Sequence, residues 1–277
     1  MGYPTILVHA DQAPHAGARL LLAVRLARAC GAHLTGVACS GVSRFAAPDP
    51  AQQWAPVAAR LHDWQAQAQG ALATLATLAD NAGLPPPTLH LLDTDPEDGL
   101  LQQARYHDLI VLSQSAPHAA APGVIRDLPA TLLLHSGRPL LLAPWQAEPP
   151  AAAPGRHPLL AWDGSRAAAR AISDALPLLK LAATVTLLVL NPATHTYGME
   201  PGADMALLLA RHGVPVTVMR EYTTAPIGEA LLGAAAECGC DLLVMGGYGH
   251  GRARETLLGG VTRAVLADMT LPVLISH

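Results

Sequence analysis

The sequence predicts an α/β fold with two tandem domains, each a five-stranded parallel sheet with helices on both faces. Apolar, strand-like runs alternate with helix-period segments along the whole chain, and the same series of elements occurs twice. A glycine-rich loop follows the fourth strand of the second copy. Alternating strands and helices favour parallel strands joined by right-handed crossovers. The predicted domains are 1–145 and 156–277, joined by a linker rich in Pro and Ala.

The first copy is divided by short polar or glycine-containing turns. Gly31 is expected to end the first helix, and 83–87 (Gly-Leu-Pro-Pro-Pro) to stop the long Ala- and Gln-rich helix. Residues 41–56 contain three prolines and are predicted to form a loop. The predicted strands are 5–11, 33–38, 88–92, 108–113 and 138–143, and the predicted helices are 17–29, 57–82, 96–106 and 128–135.

The second copy repeats this order. Its first strand ends in an aspartate, as the first strand of the chain does, and these residues, Asp11 and Asp163, are offset by 163 − 11 = 152. Pro139 and Pro272, each at the start of a last strand, are offset by 133. The extra length of the first copy is expected between its second and third strands. The predicted strands are 158–163, 184–190, 216–219, 241–245 and 271–275, and the helices 167–179, 203–212, 227–238 and 261–267.

Composition excludes several classes of function. Hydrophobic residues make up 51% of the 277 residues and charged residues 14%, so the chain can build a large core. The formal charge of −4 and the absence of a basic cluster argue against nucleic-acid binding. No apolar run reaches the ~18 residues of a membrane span. The start of the chain reads as a strand, so we expect a cytoplasmic protein with no membrane partner.

The glycine-rich loop lies between a buried strand, 242–245, and a predicted helix at 261–267. Glycines let the backbone approach a phosphate, and the first N–H groups of the helix point towards it. The spacing is Gly-x2-Gly-x9-Gly-Gly, beginning at Gly246. This is neither a Walker A loop nor a dinucleotide fingerprint, because it lacks the Gly-Lys-Ser/Thr end and its glycines lie too far apart.

The spacing resembles the ATP-binding signature of the universal stress protein family, Gly-x2-Gly-x9-Gly-Ser/Thr. The duplication also resembles tandem members, whose domains have a Rossmann-like fold of the adenine nucleotide alpha hydrolase type. The sequence departs from the signature at Gly260, which stands where the family has a hydroxyl residue. The missing hydrogen bond weakens nucleotide binding by about 0.5–1.5 kcal/mol, and Thr262, in the same helix turn, is a candidate substitute.

The resemblance implies a binding site at the carboxyl ends of the strands in the second domain. Arg252, inside the loop, is expected to neutralise phosphate charge. Asp163 also has a purely structural interpretation, as a turn residue ahead of a helix. A side chain at Gly246 or Gly259 is expected to block the phosphate path and leave the fold intact. The complete set of expected cofactor-binding residues is Ala161, Asp163, Leu190, Met245, Gly246, Gly249, Arg252, Gly259, Gly260 and Val261.

The function implied by the resemblance is a stress-response protein that binds ATP, or AMP or ADP, with or without Mg²⁺. We expect a regulatory or signalling role and at most slow ATP hydrolysis, because the sequence contains no nucleophile with a partnered base and no carboxylates at metal spacing. Two alternatives stay open. One is an adenylate-forming enzyme with Arg252 and Arg254 as phosphate clamps, and the other is a ligand-free dimerisation module.

The first copy has lost the loop. The positions that match the four glycines are Ser113, Ala116, Arg126 and Asp127. No glycine remains there, and Asp127 would repel a phosphate. The sequence therefore predicts one nucleotide per chain.

Two further patterns remain outside the nucleotide hypothesis. Cys238-Gly-Cys240 is interpreted as a helix end, a glycine turn and a strand start, because no other soft ligand accompanies it. The last strand of each copy, at 140–143 and 273–275, is apolar and carries no charge that would protect a sheet edge. We expect these two strands to pair antiparallel, which would make the chain an internal pseudo-dimer with room for a further homodimer.

Overall fold

The computed structural model describes residues 2–11, 13–40, 54–115, 128–145, 152–192, 200–247 and 259–277, with only the backbone for 54–61. Strands and helices alternate throughout these residues. They are β1 (Thr5–His9), α1 (Ala16–Cys30), β2 (His33–Cys39), α2 (Trp54–Asn81), β3 (Thr88–Leu92), α3 (Pro96–Ala104), β4 (Leu109–Ser113), α4 (Leu128–His135), β5 (Leu140–Ala143), β6 (Pro158–Ala161), α5 (Arg166–Leu179), β7 (Val185–Leu190), α6 (Ala203–Arg211), β8 (Val216–Glu221), α7 (Ile227–Glu237), β9 (Leu242–Gly246), α8 (Gly260–Asp268) and β10 (Val273–Ser276). The predicted α/β class is confirmed.

The chain forms two compact units. The N-terminal unit is Tyr3–Arg138, and the C-terminal unit is Pro139–His277 together with the start of the chain. The predicted domains, 1–145 and 156–277, follow the sequence repeat and stay a prediction. The compact units divide before β5, because β5 pairs with β10 of the C-terminal unit.

The N-terminal unit contains four parallel strands in the order β3-β2-β1-β4. Strand β4 is buried along its whole length, as expected for an apolar strand covered on both faces. Helix α1 ends at Gly31, whose φ of 64° is left-handed and whose N–H bonds to the carbonyl of Ala27. A glycine fits there because a Cβ would strain this conformation.

The C-terminal unit has the strand order β5-β10-β9-β6-β7-β8. Strands β6 to β10 are parallel to one another, and β5 is antiparallel to β10. Ser165 caps the start of helix α5, and its hydroxyl accepts a hydrogen bond of 3.1 Å from the N–H of Ala168. This cap satisfies one of the free donors of the first helical turn.

The strand registers reproduce the repeat found in the sequence. Ile6 pairs with Leu109 in the N-terminal unit, and Pro158 pairs with Leu242 in the C-terminal unit. These pairs have the two offsets expected from the sequence, since 158 − 6 = 152 and 242 − 109 = 133. The extra length of the first copy is mainly helical, because α2 has 28 residues and its counterpart α6 has 9.

A carboxylate at the start of the fourth strand secures each repeat. Asp108 accepts hydrogen bonds from the N–H and the hydroxyl of Thr5, at 2.9 and 2.7 Å. Its counterpart Asp241 accepts hydrogen bonds from the N–H groups of Arg156 and His157, both at 2.9 Å. In both copies this carboxylate therefore ties the first strand to the fourth.

The predicted pairing of the two last strands is confirmed. Leu141 lies opposite Leu274, and the neighbouring pairs are Leu142 with Val273 and Leu140 with Ile275. All of these side chains are buried. The pairing covers the edge of β10 that would otherwise expose N–H and C=O groups. The wider expectation, an internal pseudo-dimer, stays a prediction.

We predict that Leu141 and Leu274 are energetically coupled. Leu141→Ala and Leu274→Ala should each lower the free energy of unfolding by about 2–5 kcal/mol, because both remove buried side chains. Opposite residues of an antiparallel pair are in contact, so the double variant should depart from additivity by about 0.5–3 kcal/mol. Denaturant unfolding of the four proteins measures this coupling.

The control pairs Leu274→Ala with Leu209→Ala. Leu209 is equally buried but lies on α6, which packs on β8, four strands away from β10. Additivity within about 0.5 kcal/mol is expected for this pair. Additivity of the Leu141 and Leu274 substitutions would contradict direct contact between the strands.

Candidate functional site

A cavity of about 310 Å³ opens at the carboxyl ends of the strands of the C-terminal unit. Its volume is within the range of about 300–1,000 Å³ that is usual for small-molecule sites. Strands β6, β7 and β9 supply one side, and the starts of α5, α7 and α8 supply the other. The lining residues are Ala161, Trp162, Asp163, Ala168, Leu188, Leu190, Ile227, Leu231, Met245, Gly246, Gly259, Gly260, Val261 and Thr262.

The structure brings eight of the ten predicted site residues together around this cavity. They are Ala161, Asp163, Leu190, Met245, Gly246, Gly259, Gly260 and Val261. Gly249 and Arg252 lie outside the described residues, as do Arg254 and the first-copy positions 116, 126 and 127. The shared location agrees with a common site, while the role of each residue stays a prediction.

Asp163 forms the turn expected ahead of a helix and also lies at the cavity. Its Oδ1 accepts a hydrogen bond of 2.9 Å from the N–H of Ser165, which forms a turn directly before the α5 cap. Asp163 also lines the cavity and is half-buried there. The turn fixes the carboxylate in place at the edge of the cavity.

The start of α8 forms the polar side of the cavity. Gly259 is the residue before the helix and has no side-chain cap, and Gly260, Val261 and Thr262 form the first turn. All four line the cavity. The N–H groups of a first helical turn have no partner within the helix, and the helix dipole favours a negative group near them. This end of the cavity is therefore chemically suited to an anion.

Gly246 has a structural role that the sequence did not predict. A Cβ at this position would lie 2.5 Å from the backbone carbon of Ala167 and from the nitrogen of Ala168. The end of β9 therefore touches the start of α5, and only glycine fits. The expectation that a side chain at 246 would leave the fold intact is wrong. At Gly259 and Gly260 a Cβ would meet no atom within 4 Å.

Sequence reasoning missed most of the apolar wall. Trp162, Ala168, Leu188, Ile227 and Leu231 line the cavity and matched no motif. The available signals were weak. Trp162 is adjacent to Asp163, and Ile227 and Leu231 are separated by four positions, which places them on one face of α7. Apolar helix residues usually face a core, so this pattern could not show that these residues line a cavity instead.

The corresponding place in the N-terminal unit holds a buried polar cluster. We call His9, Asp11, Arg19 and Ser113 the Arg19 cluster. Arg19 Nη2 donates to Asp11 Oδ1 at 2.7 Å, and Nη1 donates to Ser113 Oγ at 2.8 Å. His9 Nδ1 lies 3.5 Å from Asp11 Oδ2. The Arg19 side chain is 1% exposed and the Asp11 side chain 8%.

Burial and charge shift the titration of this cluster. Burial lowers the pKa of His9 to about 4, although the charge of Asp11 opposes this shift. Burial alone would raise the pKa of Asp11, but the charges of Arg19 and His9 and the hydrogen bonds to the carboxylate hold that pKa well below its usual range. At neutral pH the cluster therefore contains a neutral histidine and a charged Asp11–Arg19 pair.

The structural interpretation of Cys238-Gly-Cys240 agrees with the geometry. Gly239 has a left-handed φ of 61°, and the N–H of Cys240 bonds to the carbonyl of Ala235 at 2.8 Å. These contacts form a helix-ending turn. Burial raises the pKa of the Cys240 thiol to about 11. Within the described part of the chain, no three His, Cys, Asp or Glu side chains are grouped to hold a metal.

The parallel strands, their order and the cavity at their carboxyl ends define the C-terminal unit as a Rossmann-like α/β domain. Residues 156–277 match the model of the universal stress protein family. Residues 156–277 therefore form a domain of this family, and the resemblance inferred from the glycine spacing is confirmed there. A comparison with curated protein sequences gives no match. Among the described residues, no helix could span a membrane.

Solved structures share the fold of both halves. A universal stress protein from Archaeoglobus fulgidus DSM 4304 is similar with a TM-score of 0.71 and 16% identity, over 98% of this chain and 95% of that protein. A protein of unknown function from Pseudomonas aeruginosa PAO1 has a TM-score of 0.61 and 17% identity, over 99% and 92% of the two chains. At these identities the likeness establishes the fold.

We predict that Gly246 and Gly260 differ sharply in their tolerance of a side chain. Gly246→Ala should lower the free energy of unfolding by about 1–3 kcal/mol, because its Cβ overlaps the α5 backbone. Gly260→Ala should change it by about 1 kcal/mol or less, since the space is open and alanine favours the helix. Chemical denaturation compares the two variants, and equal costs would contradict the packing described here.

We also predict that His9 makes the protein less stable in acid. In the unfolded chain this histidine is protonated near its ordinary pKa of 6.5, whereas in the folded chain burial lowers its pKa to about 4. The free energy of unfolding should therefore decrease as the pH falls from 6.5 to 4, with a slope of at most about 1.4 kcal/mol per pH unit from this group.

The comparison uses His9→Gln, which is neutral at every pH. The free energy of unfolding of this variant should fall less than that of the wild type between pH 7 and pH 4. Other histidines contribute equally to both proteins, so they cancel in the difference. Parallel stability curves for the two proteins would show that His9 is not buried in its neutral form.

Proposed function

We propose that this protein is a cytoplasmic stress-response protein whose C-terminal unit binds an adenine nucleotide, ATP, ADP or AMP, in the cavity described above. The observation that supports this proposal most directly is the composition of the cavity. An apolar wall, a fixed carboxylate and an uncapped helix start face one space of nucleotide-compatible size. We propose a regulatory role, in which the bound nucleotide stabilises one state of the protein for recognition by a partner.

The cavity divides into regions that suit the parts of a nucleotide. Leu188, Leu190 and Leu231 offer apolar surface to a base, which is flat and weakly solvated. Asp163 offers carboxylate oxygens to ribose hydroxyls. The first turn of α8 offers backbone N–H groups to a phosphate. A nucleoside phosphate needs all three kinds of surface, whereas a free phosphate or an apolar ligand uses only one.

Gly260 should reduce affinity without abolishing it. The family signature has a Ser or Thr hydroxyl at this position, and its loss removes one hydrogen-bond donor to phosphate. The backbone N–H groups of the same turn do not depend on the side chain. Thr262 is 3% exposed and lines the cavity, so its hydroxyl is a candidate for the missing donor.

Titration calorimetry with ATP, ADP, AMP and adenosine tests the proposal. We expect saturable binding with affinity that increases from adenosine to the phosphorylated ligands, because only these reach the start of α8. Mass spectrometry of ligand released from the purified protein provides an independent test. Pyrophosphate release in the presence of acceptors would instead indicate an adenylate-forming enzyme. Absence of binding by all four ligands would leave the ligand-free module as the better explanation.

We predict that Gly260→Ser increases nucleotide affinity. The added hydroxyl restores the donor of the family signature, and about 0.5–1.5 kcal/mol corresponds to a gain of roughly 2–13-fold in affinity. The matched control is Gly260→Ala, which adds the same Cβ without the oxygen and should not gain affinity. Both should bind adenosine as the wild type does. Equal affinities of the Ser and Ala variants for ATP would contradict a phosphate at the start of α8.

A further inference from the structure

The N-terminal unit contains the same strand and helix junction as the nucleotide cavity, with different side chains. The strand registers match Asp11 to Asp163 and Ser113 to Gly246. The turn that follows the aspartate is also the same, since Asp11 Oδ1 accepts from the N–H of Ala13 at 2.9 Å, as Asp163 does from Ser165. Positions around the two aspartates can therefore be compared residue by residue.

Three positions that are small in the C-terminal unit carry polar side chains in the N-terminal unit. With the offset of 152, Ala161 corresponds to His9 and Ala171 corresponds to Arg19. Gly246 corresponds to Ser113, with the offset of 133. His9 and Arg19 are each 1% exposed, and Ser113 is 9% exposed. The space that small residues leave open around Asp163 is therefore filled by larger side chains around Asp11.

Arg19 forms hydrogen bonds with the groups that a ligand would need. Its two terminal nitrogens bond to Asp11, which follows β1, and to Ser113, which ends β4. A charged guanidinium that is 1% exposed cannot leave a carboxylate without a large desolvation cost. A ligand hydroxyl would compete with this ion pair for Asp11, and a ligand base would compete with His9 for space.

We propose that Arg19 is a built-in occupant that permanently closes the N-terminal counterpart of the nucleotide cavity. Arg19 thereby acts as a specificity-determining residue, because it directs nucleotide to the C-terminal unit. One part rests on the proposed function, namely that each chain binds one nucleotide. The other part, that the Arg19 guanidinium fills a site shaped for it by Asp11 and Ser113, holds whether or not a nucleotide binds.

Chemical rescue tests the second part. Arg19→Ala should lower the thermal unfolding midpoint, because Asp11 is left buried without its partner. Ethylguanidinium at millimolar concentration should restore at least half of this loss, since its planar fork can bond to Asp11 and Ser113. Ethylammonium has the same charge without the fork and should restore less. The wild type should not respond to either cation, because Arg19 occupies the site.

Two control variants separate the site from general effects of the cation. Arg28→Ala removes an exposed arginine from the same helix and should show neither the loss nor the rescue. Arg19→Ala combined with Asp11→Asn removes the carboxylate and should lose the rescue. If Arg19→Ala alone does not fold, Arg19→Met keeps the volume, and its midpoint should lie below that of the wild type and not respond to ethylguanidinium. Absence of selective rescue in a folded Arg19→Ala protein would overturn the built-in occupant, and so would an Arg19→Met protein as stable as the wild type.

Native mass spectrometry with ATP tests the first part. The wild type should bind one nucleotide per chain, and a second equivalent bound with similar affinity would overturn the assignment of Arg19. If no nucleotide binds at all, the proposed function fails, while the rescue experiment still decides whether Arg19 fills its own site. The two failures are therefore distinguishable.

Discussion

The candidate site depends on one close contact, between the end of β9 and the start of α5. A Cβ at Gly246 would lie 2.5 Å from the backbone of Ala167 and Ala168, so the glycine allows the strand to approach the helix this closely. This approach fixes the position of α5 relative to the sheet. The turn made by Asp163 and the cap made by Ser165 lie directly before that helix. The carboxylate therefore faces the cavity because the strand and the helix are already in contact.

The junction between the strand ends and the following helix has different side chains in the two units. In the C-terminal unit small residues leave a cavity with apolar walls, and Asp163 supplies the one carboxylate among its described lining residues. In the N-terminal unit an arginine donates hydrogen bonds to the equivalent carboxylate and to a serine, and a histidine lies 3.5 Å from that carboxylate. A buried ion pair is weak evidence for stability, because desolvation offsets much of its attraction. The Asp11–Arg19 pair is better explained as a contact that specifies one arrangement of the strand ends.

Much of the fold could be predicted from the sequence, because its elements are long and strongly periodic. The apolar runs became strands within one or two residues of their predicted bounds, and the offsets of 152 and 133 reappear as strand registers. The pairing of β5 with β10 followed from their lack of protective charges. The compact unit to which β5 belongs could not be predicted, since the repeat alone assigns it to the first copy.

The sequence predicted the site residues that belong to a motif, and it did not predict the residues whose role depends on packing. Glycine spacing located Gly246, Gly259 and Gly260 at the cavity, but the clash that requires Gly246 arises from Ala167 and Ala168, 79 and 78 residues earlier in the chain. No local pattern reports such a contact. The Arg19 cluster was hidden for the same reason, because an arginine on a mainly apolar helix is usually exposed. Only the fold brings it within bonding distance of two strand ends.

The contacts of Gly246 and Arg19, which the sequence did not predict, explain why the glycine loop alone is an incomplete guide to binding. The loss of glycines in the first copy places side chains where a phosphate would approach the backbone, yet a base and ribose could still enter an empty crevice. Arg19 and His9 remove that possibility by filling the crevice itself. Conversely, the second copy has alanines at the positions of His9 and Arg19, namely Ala161, which lines the cavity, and Ala171. Under the proposed function, nucleotide binding therefore depends both on the glycine-rich loop and on the small residues that leave the cavity open.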